Sequence, residues 1–439
     1  MIQWISSQLF LLVHRFLVMP FAVTLAFFVG FPFFDKVRKG IQMRMPLNGK
    51  LPWLNFSKNT RPIWIHCASG EFEYAKPVIR ELKRKKPAVP IMVTYFSPTF
   101  AKAIHKDPLV DMATPLPWDF PGPLRAFIRH HHPRALLIAR TDLWPELLRQ
   151  CHAARVPTGL FSATKNLNKK TLPGVSFFKK WLYNQVDVIF CNTESDREGF
   201  KQAGVKTPVQ VAGDTRYDQV SYRLQHAKPV KNQLLKTSTS SFTLVAGSTW
   251  PADEAHLLKA TESLIKDKKL YLVMAPHEPT SKHLDSLKAL LTKHGLRFRL
   301  YTETTETDGI KPGEVLIVDT VGVLAEIYSF GDLAFVGGSF NGSVHSIMEP
   351  LAAGCMTFVG PDIKNNREGL EFSQYPLTPS RSLMAVNVCH SVMELEKKIR
   401  EALDDHPPIE KWKQTLKDAV QKKQGATQKV VDWLSPHLS

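Results

Sequence analysis

A glycine-rich turn late in the chain has the residue types that bind a phosphate. Within segment 333–354 an apolar run leads into glycines and polar side chains, namely Gly338, Ser339, His345, Ser346 and Glu349. Glycine lets the backbone approach a ligand closely, and a helix predicted to begin near Ser346 would add free N–H groups and the positive end of its dipole. Glu349 could then accept two ribose hydroxyls, and His345 could donate to a phosphate or carboxylate. The alternative is an ordinary strand–helix turn, with Ser346 as the cap and Glu349 complementing the dipole.

A carboxylate follows the first predicted strand. That strand ends at Ser69, Gly70 permits a sharp turn, and Glu71 opens the next helix. A carboxylate at the end of a strand can face a ligand cleft and act as a general base towards a hydroxyl. The alternative is that Glu71 only complements the helix dipole, and Glu73 is a nearby competitor for the role of base.

Other polar or aromatic side chains also follow predicted strands. They are Asp142, Trp144, Arg216, Ser248, Thr249, His277, Asn365 and Arg367. Each could belong to an ordinary loop. Their joint placement favours a two-domain enzyme with its ligand cleft between the domains, at the carboxyl ends of the strands.

The elements that must position these residues are short apolar strands alternating with amphipathic helices. This pattern predicts an α/β fold with two doubly wound, Rossmann-like domains, each built on a parallel sheet. A polar stretch with a Ser/Thr cluster predicts the linker between them. The expected organisation is a membrane anchor at 1–40, an N-terminal domain at 41–222, the linker at 223–241, a C-terminal domain at 242–408 and one basic helix within 409–439.

The N-terminus contains a hydrophobic segment, 16–34, without a charged residue. A helix of that length spans about 28 Å, close to the hydrocarbon thickness of a bilayer. Basic residues follow in 35–50, which predicts that the body of the protein is cytoplasmic. Pro20 and Pro32 make a monotopic hairpin or a helix lying in the interface an equal alternative. An anionic membrane surface as partner would account for part of the net charge of +17.

Several classes of protein and site are disfavoured. The five cysteines are far apart in sequence and odd in number, which argues against a disulfide framework and a zinc site and favours a reducing compartment. We find no P-loop, nucleophile elbow or HExxH motif, and we expect no metal and no cofactor. The basic residues are dispersed without interleaved aromatics, which disfavours nucleic acid as a partner. The three histidines at 130–132 are interpreted as surface residues.

The ordered set of motifs resembles one family, the Kdo (3-deoxy-D-manno-octulosonic acid) transferases of lipopolysaccharide synthesis. The resemblance covers about residues 10–400. Its motifs are SGE at 69–71, DLWPEL at 142–147, AGDTRYD at 212–218, GSTWPADE at 247–254, the GGS and VHSIMEP turn at 337–350, and NNRE at 365–368.

This resemblance implies a GT-B glycosyltransferase on the cytoplasmic face of the inner membrane, with CMP-Kdo as donor and a lipid A precursor (lipid IVA) as acceptor. Glu71 matches the family's general base, and the reaction would be an inverting displacement that needs no metal. The implied donor-side residues are Ser248, Thr249, His277, Gly338, Ser339, His345, Ser346, Glu349, Asn365 and Arg367. The implied acceptor-side residues are Ser69, Gly70, Asp142, Trp144 and Arg216.

The sequence also departs from the family pattern. Arg140-Thr141-Asp142 stands where the family has Glu-Thr-Glu, and His277 lacks the arginine that precedes it in the family. Arg216 and Arg367 are candidates to replace that arginine. Two alternatives therefore stay open: a membrane-associated GT-B enzyme with another nucleotide sugar, or a non-catalytic relative that binds lipid precursors.

Overall fold

The computed structural model describes residues 2–46, 50–165, 173–227, 242–305, 313–404 and 409–438. The chain forms two compact units. Unit 1 comprises Met1–Gln219 together with Lys423–Ser439, and unit 2 comprises Val220–Lys422. Most of the predicted linker, residues 228–241, lies outside the described residues.

The N-terminus of unit 1 is a long apolar helix. It runs as α1 (Ile2–Val13), α2 (Met19–Leu25) and α3 (Phe31–Phe33), joined by wider π-type turns, and α4 (Asp35–Gln42) follows. Residues Gln8–Phe33 form one helix long and apolar enough to cross a membrane. Two polar contacts just after α1 join this helix to the body of the unit. His14 Nε2 lies 2.8 Å from Asp119 Oδ2, and Arg15 Nε donates to Glu146 Oε2 at 2.6 Å.

A parallel sheet forms the centre of unit 1. In chain order its strands are β1 (Ile63–His66), β2 (Ile91–Tyr95), β3 (Met112–Pro115), β4 (Ala135–Ala139), β5 (Thr158–Ala163), β6 (Val188–Cys191) and β7 (Val209–Val211). The spatial order is β3-β2-β1-β4-β5-β6-β7. Alternate residues of β1 enter two separate cores, because Ile63 and Ile65 face one side and Trp64 the other. This burial on both faces explains why the strand is apolar throughout.

The remaining helices of unit 1 cover both faces of this sheet. They are α5 (Phe72–Lys85), α6 (Ala101–His105), α7 (Pro121–His131), α8 (Pro145–Ala153), α9 (Pro173–Tyr183) and α10 (Glu194–Gln202). The next helix, α11 (Thr215–Gln225), begins in unit 1 and ends in unit 2.

Unit 2 repeats the same architecture. Its strands are β8 (Phe242–Thr249), β9 (Leu270–Pro276), β10 (Arg297–Leu300), β11 (Glu314–Ile317), β12 (Leu333–Val336), β13 (Met356–Val359) and β14 (Val386–Val388), in the spatial order β10-β11-β9-β8-β12-β13-β14. Its helices are α12 (Pro251–Lys266), α13 (Ser281–Lys293), α14 (Leu324–Tyr328), α15 (Met348–Ala353), α16 (Arg367–Phe372), α17 (Val392–Asp404) and α18 (Ile409–Gln421). Two doubly wound parallel sheets confirm the predicted fold class.

The C-terminus differs from the single helix expected within 409–439. Gly425, with a φ of 98°, separates α18 from α19 (Ala426–Leu434), and only α19 belongs to unit 1. The apolar face of α19 packs into the same core as α5, and Asp218 accepts hydrogen bonds from the backbone N–H groups of Gly425 and Thr427. The chain therefore returns to its first unit.

Candidate active site

The unit 1 site begins at the end of β1, where the order of the strands reverses. Gly70 provides the turn, and the backbone N–H of Ser69 donates to Glu71 Oε2 at 2.8 Å. Glu71 is half-buried and forms no ion pair among the residues that the structure describes. Its competitor Glu73 pairs with Lys76. The two carboxylates therefore differ, because among the described residues Glu73 forms an ion pair and Glu71 does not.

The adjacent strand β4 brings Asp142 to the same edge. Its Oδ2 atom lies 2.8 Å from Nε2 of the buried His66 and accepts from Trp144 Nε1 at 3.0 Å. Burial opposes ionisation of Asp142, but its hydrogen bonds and the charge of His66 outweigh this effect and lower its pKa. Burial raises the pKa of the Cys67 thiol well above its ordinary value, and the carboxylates of Glu71 and Asp142 raise it further. The negative charges of both carboxylates therefore reach the Cys67 thiol at this edge of the sheet.

Two arginines approach one aromatic ring beside these carboxylates. The guanidinium carbon of Arg140 lies 5.4 Å from the centre of the Tyr74 ring, and that of Arg216 lies 4.5 Å from it. Arg216 Nη2 donates a hydrogen bond to Asp214 Oδ2 at 2.7 Å. Arg140 has a φ of 65°, a left-handed conformation that a non-glycine residue seldom adopts. Backbone strain of this kind clusters at functional sites.

The glycine-rich turn of unit 2 is built around one buried carboxylate. Asp253 accepts from the backbone N–H groups of Gly338 at 2.8 Å and Trp250 at 3.0 Å. Gly337 is required sterically, because a Cβ atom there would lie 2.3 Å from the carbonyl oxygen of Ser248. Ser248 itself has a φ of 53°. The ends of β8 and β12 therefore meet with their backbones in direct contact.

Three aromatic side chains lie together above this turn. The rings of His277 and His345 stack at 4.1 Å, and Trp250 Nε1 donates to His345 Nε2 at 2.9 Å. Burial lowers the pKa of His345, and the neighbouring His277 lowers it further. Because Nε2 accepts a hydrogen bond, the imidazole is neutral in this arrangement. This cluster offers flat polar surfaces of the kind that bind a nucleotide.

Ser339, Thr249 and Ser346 are three further residues that the sequence predicted for donor binding. Ser339 and Thr249 are fully buried; the Ser339 hydroxyl accepts from the Gly360 N–H, and the Thr249 hydroxyl donates to Glu254. Ser346 is exposed and does not cap α15, which begins two residues later. The buried Ser339 and Thr249 side chains therefore support the fold, and the alternative of Ser346 as a helix cap is wrong; donor binding by these three residues stays a prediction.

The remaining predicted residues lie at the same edge of unit 2. Arg223 Nη1 donates to Glu349 Oε1 at 2.7 Å, so the carboxylate proposed for ribose already carries an ion pair. Asn365 and Arg367 are exposed beside Asn366, whose side chain caps α16 and donates to the His345 carbonyl oxygen at 3.1 Å. Asn366 thus connects this loop to the backbone of His345.

Sequence patterns missed several side chains that organise the site. These are His66, Tyr74, Asp253, Trp250 and Asn366. Trp250, Asp253 and Asn366 lie within the quoted motifs GSTWPADE and NNRE, whereas His66 and Tyr74 lie outside the quoted motifs. Among the described residues, no group of three or more His, Cys, Asp or Glu side chains is arranged to hold a metal ion.

The comparisons with known proteins agree with this architecture. The family model of 3-deoxy-D-manno-octulosonic-acid transferase (kdotransferase) matches residues 42–219. The 3-deoxy-D-manno-octulosonic acid transferase of Aquifex aeolicus is 29% identical over 68% of this chain and 76% of its own. The enzyme of the same name from Haemophilus influenzae is 25% identical over 86% of this chain and 87% of its own.

A solved structure extends the likeness to both units. UDP-GlcNAc 2-epimerase from Neisseria meningitidis covers 85% of this chain and 98% of its own, with a TM-score of 0.58 and 12% identity, which shows the fold alone. Two doubly wound sheets with polar groups at their carboxyl ends define the GT-B class of two-domain α/β enzymes. Within that class, the chain is similar to the Kdo transferases over residues 42–219 and over most of the length of two curated relatives, which supports a glycosyltransferase.

Proposed function

We propose that this enzyme transfers Kdo from CMP-Kdo to a lipid A precursor in lipopolysaccharide synthesis, with Glu71 as the general base. The observation that carries the proposal is the position of Glu71 at the end of β1. One backbone N–H orients its carboxylate, and no cation among the described residues neutralises it. The names of the Aquifex and Haemophilus relatives support the choice of sugar.

The chemical step follows from these roles. The Glu71 carboxylate accepts the proton of an acceptor hydroxyl, whose oxygen attacks the anomeric carbon of Kdo. The bond between that carbon and the phosphate oxygen of CMP breaks, and CMP leaves with the electron pair. Attack from the face opposite CMP inverts the anomeric centre. A general base of this kind contributes about 10²–10⁴-fold to the rate.

Donor binding is assigned to unit 2. The phosphate of CMP would lie against the turn that contains Gly338, near the His277 and His345 rings, with Ser248 at the neighbouring strand end. Glu349 would accept the ribose hydroxyls while its other oxygen keeps Arg223. Asn365 and Arg367 stay candidates for contacts with the sugar.

Acceptor binding is assigned to unit 1. Ser69 and Gly70 form the backbone around the base, and Asp142 and Trp144 line the neighbouring strand end. Arg140 and Arg216 place two cations beside Tyr74, which suits an anionic acceptor. The apolar helix Gln8–Phe33 would hold this unit at the cytoplasmic face of the inner membrane, where the basic surface meets anionic lipid.

The experiment that tests the function follows CMP release and product mass with purified full-length protein, CMP-Kdo and a tetra-acylated lipid A precursor. Glu71→Gln should reduce turnover by at least about a hundredfold and leave CMP-Kdo affinity unchanged, because only the proton acceptor is lost. Glu73→Gln is the matched control, since that carboxylate is paired with Lys76, and it should retain wild-type turnover.

Two results would contradict the proposal. Full turnover in the Glu71→Gln variant would exclude Glu71 as the base. Nucleotide release and product formation that occur only with a different nucleotide sugar would exclude Kdo as the transferred group.

A further inference from the structure

Unit 1 contains a cavity of about 330 Å³ beside the N-terminal helix. Its walls come from α2, from α4 and from the loops that follow β2, β3 and β4. The residues that line it include Ala22, Gly40, Arg44, Phe96, Trp118 and Trp144. This volume lies in the range of sites that bind small molecules.

The cavity is apolar although a guanidinium group lies in its wall. Arg44 is buried and donates to three backbone carbonyl oxygens, those of Leu116, Gly40 and Phe96. Its guanidinium also lies over the rings of Phe96 at 4.4 Å and Trp118 at 5.1 Å. These contacts tie the end of α4 to the sheet edge, and the wall facing the cavity consists mainly of aromatic and aliphatic groups. A polar ligand would find few partners here, whereas a hydrocarbon chain would lose its contact with water.

The cavity adjoins the reaction site through one side chain. Trp144 lines the cavity, stacks on Phe96 at 4.9 Å and donates from its indole nitrogen to Asp142. On the other side, the apolar helix that forms the cavity wall exposes Phe21 and Phe28 on its surface. A chain held in the cavity would therefore extend from a lipid-facing helix to the sheet edge that carries Asp142.

We propose that this cavity binds one acyl chain of the lipid acceptor and thereby sets the position of its sugar headgroup at the end of β1. The proposal rests on the proposed function, because it assumes that the acceptor is a lipid. The cavity is a binding site for the acceptor and takes no part in the chemical step.

Filling the cavity tests this proposal. Gly40 lies in α4, and a Cβ atom there would meet only Pro98, at 4.0 Å, so Gly40→Leu adds bulk to the cavity without a backbone clash. Leucine is also the better helix former. Gly122→Leu is the matched control, because Gly122 lies in α7 with no atom within 4 Å of its added Cβ. Ala22→Phe on the opposite wall is a second, independent variant.

The measurement compares KM for the tetra-acylated precursor with KM for the same acceptor after its acyl chains have been removed. Gly40→Leu and Ala22→Phe should each raise KM for the acylated acceptor by at least about tenfold, since every displaced methylene contributes a factor of about four. KM for the deacylated acceptor should not change, and Gly122→Leu should match the wild type with both acceptors.

The outcomes separate the two proposals. If the wild-type enzyme transfers Kdo to neither acceptor, the proposed function fails. If it uses both acceptors and the cavity variants change neither KM, or change both equally, the acyl site is overturned. Competition by phosphatidylglycerol vesicles that is lost in Gly40→Leu would also overturn it, because the cavity would then hold a bilayer lipid.

Discussion

The imidazole of His66 and the carboxylate of Asp142 join the two central strands of unit 1, with Nε2 and Oδ2 2.8 Å apart. His66 is fully buried, and its other ring nitrogen lies 2.9 Å from the Thr94 hydroxyl, which also accepts from Trp64 Nε1. A continuous polar chain therefore runs from the core of the sheet to the edge where Glu71 lies. This arrangement holds the Asp142 side chain, and through it the Trp144 indole, in one orientation.

Asp142→Asn should lower the free energy of unfolding by about 1–3 kcal/mol at neutral pH, because the charged hydrogen-bond acceptor for a buried histidine is lost. The pKa of Asp142 is lowered in the folded protein, so its stabilisation is present above about pH 4 and is lost as the pH falls through the lowered value. Urea unfolding at a series of pH values should show this loss in the wild type. If the free energy of unfolding of Asp142→Asn depends on pH in the same way as that of the wild type, this pH dependence does not come from Asp142.

The hydrogen bond from Trp250 to His345 predicts a change in titration. Trp250 donates to the unprotonated Nε2 atom and so favours the neutral imidazole. Trp250→Phe removes that donor while keeping an aromatic ring, and the pKa of His345 should rise towards its ordinary value. Chemical shifts of the histidine Cε1 protons against pH measure this directly. A pKa of His345 that stays low in the variant would mean that burial and His277 alone determine it.

The ion pair between Arg15 and Glu146 is expected to hold the N-terminal helix against the body of unit 1. Glu146 is fully buried, and burial opposes its ionisation, but hydrogen bonds from Arg15 and Gln150 outweigh this effect and lower its pKa. Glu146→Gln leaves Arg15 unpaired and should destabilise the helix attachment by about 3–5 kcal/mol. Hydrogen exchange of the segment around Arg15, measured in detergent, should become much faster.

The control for this pair is Arg149→Gln, because Arg149 lies farther from Glu146, at 3.7 Å, and is more exposed. Exchange at the N-terminal helix should be unaffected by that substitution. The stabilisation from Glu146 is present above about pH 4.3 and is lost as the pH falls through its lowered pKa. Equal exchange rates in both variants would show that apolar packing alone holds the helix.

Gly337→Ala should disrupt the donor turn. The added methyl would lie 2.3 Å from the Ser248 carbonyl oxygen, so the ends of β8 and β12 would have to separate. We expect a loss of about 1–3 kcal/mol in stability and a marked loss of CMP affinity by calorimetry. Gly174→Ala in α9, with open space around it, is the control and should retain both properties. CMP affinity equal to wild type in Gly337→Ala would exclude this turn from the nucleotide site.

The sequence by itself determined the architecture and the places where chemistry can occur. Uninterrupted apolar strands such as Ile63–His66 require burial on both faces, and that requirement alone predicts a parallel sheet covered by helices. Because the ends of parallel strands share one edge, the sequence also predicted that Glu71 and Asp142 lie at the edge of one sheet and Gly338 and His345 at the edge of the other.

Only the tertiary structure decided what each side chain does at those edges. His131, interpreted as a surface residue, is fully buried against Trp53 and Phe127, and burial lowers its pKa to about 4. Asp253 lies in the GSTWPADE motif, but nothing in that motif shows that its carboxylate binds the glycine turn about 85 positions away. Local sequence patterns indicate the hydrophobic periodicity of a helix or strand and the residues that form its turns. They do not record which distant backbone N–H group a carboxylate will meet, because that depends on how the strands and helices pack.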